Sequence, residues 1–170
     1  MVNLKLYHGS TFIVEEPNLE ILNYKTDFGK GFYTTTDIDQ AKRWTKIKKE
    51  RLEKQGINNN IHQYINIYEY TENEELNILN FEEATEEWLK FVFKNRESDE
   101  LVHQYDIVKG PVANDNLYQV LVSYENGAYD LEETIKRLKT YLLTNQISFH
   151  TIKALEYIKY VETIEVERDG

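Results

Sequence analysis

Apolar and polar positions divide the chain into short segments of two periods. "LKLYH" (4–8) sets Leu4, Leu6 and His8 on one face, the two-residue period of a strand. Residues 9–28 are predicted as loop, interrupted by the apolar pieces "FIV" and "LEIL". "GFYTT" (31–35) predicts a second short strand. A helix is expected from about Asp37, because Asp37 and Gln40 have capping-box spacing. Ile38, Ala41, Trp44 and Ile47 recur behind it as an apolar stripe, and Gly56 sits where that helix should stop.

"IHQYINIYEY" (61–70) alternates over its full length. Ile61, Ile65 and Ile67 fall on one face and Tyr64, Tyr68 and Tyr70 on the other, so both faces of this long strand are used. The tyrosines read as core and rim. Further strands are predicted over "ELNILNF" (75–81), "QYDIVKGP" (104–111), "QISFH" (146–150) and "YVETIEV" (160–166).

Helices are predicted over 82–96, with Ala84, Trp88, Phe91 and Val92 aligned, and over 131–143, with Leu131, Ile135, Leu138 and Leu142 in line. A short helix is expected over 151–158. "LYQVLVSY" (117–124) fits either period; the capping residues Asn114 and Asp115 upstream favour helix. Strands and helices mixed in this order predict an α+β fold in one domain over 1–170, not a doubly wound parallel sheet.

Composition narrows the function. The chain has 170 residues, 41 % of them hydrophobic, which suits a single globular domain. It has no cysteine, which excludes disulfides, thiolate zinc sites and cysteine nucleophiles. No apolar run approaches the ~20 residues of a membrane span. The N-terminus has no signal-peptide pattern, so a cytoplasmic location is the default expectation, with signal-independent export left open.

A formal net charge of −10 disfavours broad binding to a phosphate backbone. The basic run "KRWTKIKKERLEK" (42–54) reads as a solvated helix face and keeps a local nucleic-acid contact open.

"GKG" in "DFGKGFYTTTD" (27–37) lacks the spacing of a phosphate-cradling loop, and "DFG" stands without the other kinase motifs. His8, His62, His103 and His150 have no helical metal-ligand spacing, so no metal site is expected.

His8 differs from the others in its company. "YHGS" ends the first predicted strand, and the glycine-flanked "FGKGFYT" (28–34) follows about twenty residues later. Together these resemble the ADP-ribosyltransferase superfamily, in particular the "HGS" and "FGKGIYF"-like segments of its poly-ADP-ribose polymerase branch. The resemblance extends to small bacterial domains placed in that superfamily without known function. They share "YHGS", "DFGKGFYTT", "YDIVKGPVAND" and "NQISFHT" in this order, spanning residues 7–151.

The resemblance implies a split β-sheet core of short strands with flanking helices, and NAD as the substrate. Its chemistry breaks the nicotinamide–ribose bond through an oxocarbenium-like transition state, so positioning does most of the work. By resemblance His8 bonds the adenosine-side ribose, Gly9 meets the nicotinamide amide through its main chain, and Ser10 adds a hydroxyl nearby. Tyr33 stacks on the nicotinamide. Gly29 and Gly31, within the Phe28–Thr34 segment, let the main chain pass close to the cofactor.

The family's third residue is a glutamate, and here Gln146 aligns with it. An amide oxygen accepts the same hydrogen bond without the charge, which implies mono-transfer, modest turnover or binding without efficient chemistry. An alternative overlay puts Ser148 at that position. Lys109 is a candidate for the pyrophosphate and Asn114 or Asp115 for the site wall, with a strand end plus cap as the competing reading. Asp27 either closes the turn before Gly29 or places a carboxylate near the ribose.

The expected function is that of a mono-ADP-ribosyltransferase with a His8–Tyr33–Gln146 triad. It would modify a macromolecule, protein before RNA or DNA, as a toxin or phage-defence effector beside a small antitoxin. A degenerate NAD- or partner-binding module and an NAD glycohydrolase are the alternatives.

Overall fold

In the computed structural model the chain runs β1 (Asn3–Ser10), β2 (Phe32–Thr34), α1 (Ile38–Lys54), β3 (Tyr64–Thr71), β4 (Ile78–Asn80) and α2 (Glu86–Glu97). It continues through β5 (Ile107–Pro111), α3 (Asp115–Glu125), α4 (Leu131–Leu138), β6 (Asn145–Phe149), α5 (Ile152–Leu155) and β7 (Ile158–Glu165). Residues 3–19, 26–57, 60–98, 100–101, 103–113, 115–138 and 145–167 are described. The fold is α+β, as the mixed periodicity predicts.

The described strands form two sheets. The first is antiparallel in the order β1-β3-β7; the second has the order β2-β6-β5-β4, with β4 parallel to β5 and the other pairs antiparallel. Leu6, Tyr68 and Tyr70 of the first sheet meet Phe32, Ile107, Ile147 and Phe149 of the second in one buried cluster. This face-to-face packing is why β3 alternates so cleanly. Tyr68 and Tyr70 enter the cluster between the sheets, and Ile65 and Ile67 point the other way, to Ala41 of α1. On the far side of the second sheet, Val108 packs with Phe28, with Trp88, Leu89 and Val92 of α2 and with Leu121 of α3.

Several element ends differ from the sequence expectation for local reasons. β1 extends beyond residue 8, because pairing with β3 continues through Gly9↔Ile65 and Ser10↔Tyr64. β3 begins at Tyr64 rather than at 61, and β5 at Ile107 rather than at 104. α2 begins at Glu86 rather than at 82, because the Thr85 hydroxyl accepts from the Trp88 N–H and caps it. α5 ends at Leu155, and β7 already pairs with β3 at Tyr70↔Ile158. The segment 117–124 is helical, inside α3. The end of the fourth predicted helix (139–143, with Leu142) and residues 20–22 of "LEIL" lie outside the described residues.

Only the first half of the stripe expected on α1 packs: Ala41 is buried with Ile38 against it, and the stripe then leaves the packed face. Gln40, Ala41 and Thr45 are buried, and Ile47 is 41 % exposed. A three-residue repeat falls about 60° short of a full turn at each step, so Ile38 and Ile47 lie on opposite sides of the helix. The capping box is also divided. Asp37 accepts from the Asp39 N–H, its own N–H goes to the Thr35 hydroxyl, and Gln40 Oε1 accepts from Arg43.

Candidate functional site

A single β-bridge joins β1 to the residue that follows β2. Tyr7 and Thr35 exchange N–H···O bonds of 2.8 and 2.9 Å, and beyond that bridge β1 continues along β3 while β2 pairs with β6. His8 follows the bridge directly. Its Nδ1 lies 2.7 Å from the Tyr33 carbonyl oxygen. A carbonyl only accepts, so Nδ1 carries the proton and Nε2 is left as the acceptor. The ring stacks on Phe32 at 4.2 Å and is 9 % exposed. Burial, with the Lys48 charge second, holds its pKa well below the ordinary imidazole value, so His8 is neutral.

Gly9 lies against α1. A Cβ there would stand 2.1 Å from the Ala41 carbonyl oxygen, so this strand and helix approach each other only because residue 9 has no side chain. The Gly9 carbonyl accepts from Lys48 Nζ at 2.6 Å. Burial and the neighbouring Arg51 lower the Lys48 amine to about 8. The Ser10 hydroxyl accepts from the Phe12 N–H.

Tyr33 sits opposite Ser148 in the β2–β6 ladder. Its hydroxyl accepts from the Phe28 N–H at 3.1 Å and donates to the Gly29 carbonyl or the Thr26 hydroxyl, fastening residues 26–29 against β2. Burial pushes the phenol far above its ordinary range. Gly29 has φ +91°, and a Cβ there would meet Asn95 Oδ1 and Leu101. A Cβ on Gly31 would meet the His150 ring and the Phe149 carbonyl oxygen, both at 2.6 Å. The space on the Cβ side of both glycines is therefore filled by protein atoms. Phe28 is fully buried, and Thr34 bonds the Ile147 carbonyl across the ladder.

Gln146 and Ser148 share a face of β6, two residues apart, and have different partners. Gln146 is 3 % exposed and donates through Nε2 to Asp27 Oδ2 (2.9 Å) and to the Pro111 carbonyl (3.3 Å). Asp27 also accepts from the Ala113 N–H at 2.8 Å and, on its other oxygen, from Arg96 Nε and Nη2. Ser148 is fully buried, with its hydroxyl 2.7 Å from His150 Nε2. His150 Nδ1 faces the Lys30 carbonyl oxygen at 2.8 Å, so Nδ1 carries the proton and Nε2 accepts from Ser148. Burial brings the His150 pKa down to about 4.

The structure thus brings His8 to the Tyr33 main-chain carbonyl and sets Tyr33 across from Ser148, with Gln146 two residues earlier on β6. Asp27 lies in the turn before Gly29, one of its two sequence readings, and its carboxylate is the buried hub behind Gln146. Lys109 is ion-paired with Glu72. Asn114 lies outside the described residues, and of Asp115 only its helical backbone is described.

Arg96 and Lys48 were not singled out by sequence reasoning, and His103 and His150 were weighed there only as metal ligands. Arg96 meets Asp27 across 69 residues of sequence, and no local spacing announces such a pair. His103 donates from Nε2 to the Phe28 carbonyl, and its ring lies 4.4 Å from that of His150. It also lines a cavity of about 670 Å³ with Asn77, Phe91, Lys94, Gln104 and Tyr105. Among the described residues no group of three or more His, Cys, Asp or Glu is placed to hold a metal ion, and no helix is long and apolar enough to cross a membrane.

Residues 4–160 match a family model described as "Protein of unknown function (DUF3990)". No curated protein and no solved structure matches the chain.

Proposed function

The chain belongs to this family of unknown function, and we propose that it is an NAD-dependent mono-ADP-ribosyltransferase acting on a macromolecule. One observation carries the reading. The three residues singled out by resemblance lie on three strands that meet where β1 leaves β2, and two of them keep an acceptor atom unused. His8 Nε2 and Gln146 Oε1 take no hydrogen bond from the described residues, although both side chains are more than nine-tenths buried. Neither is among the buried atoms without a partner, so each is the atom that solvent still reaches on an otherwise buried side chain, and a ligand rich in hydroxyls would bond it there.

In this reading NAD is a substrate. Its nicotinamide–ribose bond breaks with the electron pair leaving on nicotinamide; the acceptor's nucleophile then bonds the anomeric carbon and loses its proton. The chain holds and orients. Neutral His8 accepts a ribose hydroxyl at Nε2. The Tyr33 ring offers a flat apolar wall, and its hydroxyl is spent on fixing residues 26–29. Gln146 Oε1 accepts the hydroxyl beside the reacting carbon. The Gly9 carbonyl keeps one lone pair beside its bond from Lys48. The net charge of −10 favours a protein acceptor over nucleic acid. A toxin role with a small antitoxin partner rests on the sequence resemblance alone.

The neutral, tightly held Gln146 amide favours a second reading, an NAD-binding module without efficient chemistry. Expression of wild type and Tyr33→Ala in bacteria, with labelled NAD added to lysates, separates the two. Growth arrest and label transfer by wild type alone support the transferase. NAD binding without nicotinamide release supports the module, and nicotinamide release with no labelled acceptor indicates a glycohydrolase.

A further inference from the structure

The position aligned with the family glutamate carries an amide here, and the reason lies one hydrogen bond behind it. Asp27 is 5 % exposed and directs Oδ2 at Gln146 Nε2 from 2.9 Å. A glutamate in the same conformation would set a carboxylate oxygen against that Oδ2, two like charges in contact inside the protein. Gln146 replaces one of those oxygens with a donor. The Pro111 carbonyl accepts from the same nitrogen, so two acceptors fix which end of the amide is which.

We infer that Asp27 supplies the anionic charge of this site and acts as a positioning residue, holding the Gln146 amide with its Oε1 kept as the acceptor for the substrate hydroxyl. The pairing of Oε1 with substrate rests on the transferase reading; the placement of the charge does not.

The surroundings fit this division of labour. Arg96 balances Asp27 through two donors to Oδ1, and the Ala113 N–H completes Oδ2. Both carboxylate oxygens are therefore engaged with the protein, and Asp27 reaches the substrate position through the glutamine alone. Three separate segments meet at this carboxylate: the turn before Gly29, the C-terminal end of α2, and the chain following β5. Polarisation along Arg96–Asp27–Gln146 makes Oε1 a better acceptor than an isolated amide oxygen, which compensates in part for the missing charge.

Two cycles of variants test this. The first reads stability and needs no activity. Gln146→Glu should lower the melting midpoint by several degrees at about pH 8 and by much less at about pH 5, where the carboxylate pair retains a proton. The loss at the higher pH should be at least halved in an Asp27→Asn background. Equal losses in both backgrounds and at both pH values would overturn the charge placement.

The second cycle reads nicotinamide release from NAD. Asp27→Asn should lower kcat about tenfold with KM nearly unchanged, and should add nothing in a Gln146→Leu background. A further loss in that background would show that Asp27 does not act through Gln146. If wild type releases no nicotinamide, the transferase reading fails, and the stability cycle alone decides the charge placement.

Discussion

The imidazole of His8 donates to the main-chain carbonyl of Tyr33 at 2.7 Å, one residue beyond the Tyr7–Thr35 bridge. At this point a side chain takes the place of a ladder hydrogen bond, so His8 both marks and closes the parting of the two sheets. His8→Phe would keep the stacking on Phe32 and leave the Tyr33 carbonyl without its donor. A loss of about 1–3 kcal/mol is expected in urea unfolding, with a clear drop in NAD affinity under the transferase reading. Unchanged stability would mean that His8 is not what satisfies this carbonyl.

His150 gives the fold a sensitivity to acid. Its pKa is about 4 in the folded protein, lowered by burial, against about 6.5 in an unfolded chain. The unfolded state therefore takes up this proton first as pH falls. The stabilisation is fully present above about 6.5 and declines toward pH 4, by about 3 kcal/mol for this residue. His8 and His103 act in the same direction, as burial lowers both. Urea unfolding at several pH values should show stability falling through that window, and His150→Asn should flatten the slope. A slope identical to wild type would contradict the assignment.

The chain announced its elements where a segment's own period reports its burial. β3 shows both faces because the core between the sheets and α1 each take one of them. The site was legible as far as it consists of contiguous motifs: "YHGS", "FGKGFYT" and "NQISFHT" lie on strands that adjoin at the Tyr7–Thr35 bridge. What joins those motifs was hidden. Asp27 meets Gln146 across 119 residues, and His150 meets the Lys30 carbonyl across 120, so only the fold brings them together. The α1 stripe misled because Thr45 and Gln40, polar by type, are buried where the helix crosses β1 and β3.

The glycine of "YHGS" separates packing from ligand binding. Gly9→Ala would put a methyl 2.1 Å from the Ala41 carbonyl oxygen, and backbone must move to relieve it. Gly127→Ala is the control, since it meets nothing within 4 Å but has φ +80°. The control should cost about 1 kcal/mol and Gly9→Ala more than about 3 kcal/mol, both without NAD present. Equal thermal shifts would show that α1 does not depend on this close approach.

Tyr33 performs two tasks with two parts of one side chain. Tyr33→Phe removes the hydroxyl that holds the Phe28 N–H and the Gly29 carbonyl, and should destabilise by about 1–3 kcal/mol. It keeps the ring, so NAD affinity by calorimetry should fall far less than in Tyr33→Ala. If both variants lose NAD equally, the ring is not the stacking surface.

Lys48 tests the electrostatics of His8 from outside the triad. It donates to the Gly9 carbonyl at 2.6 Å, and its positive charge is the second cause, after burial, of the depressed His8 pKa. Lys48→Met keeps a long apolar stem beside β1 and removes that charge. Protonated His8 would then lose a repulsive neighbour, so its pKa should rise toward the ordinary value without reaching it, because burial still opposes the cation. An NMR titration of the His8 ring protons measures this directly. A fall in pKa, or no change, would place the Lys48 charge too far from His8 to set its protonation state.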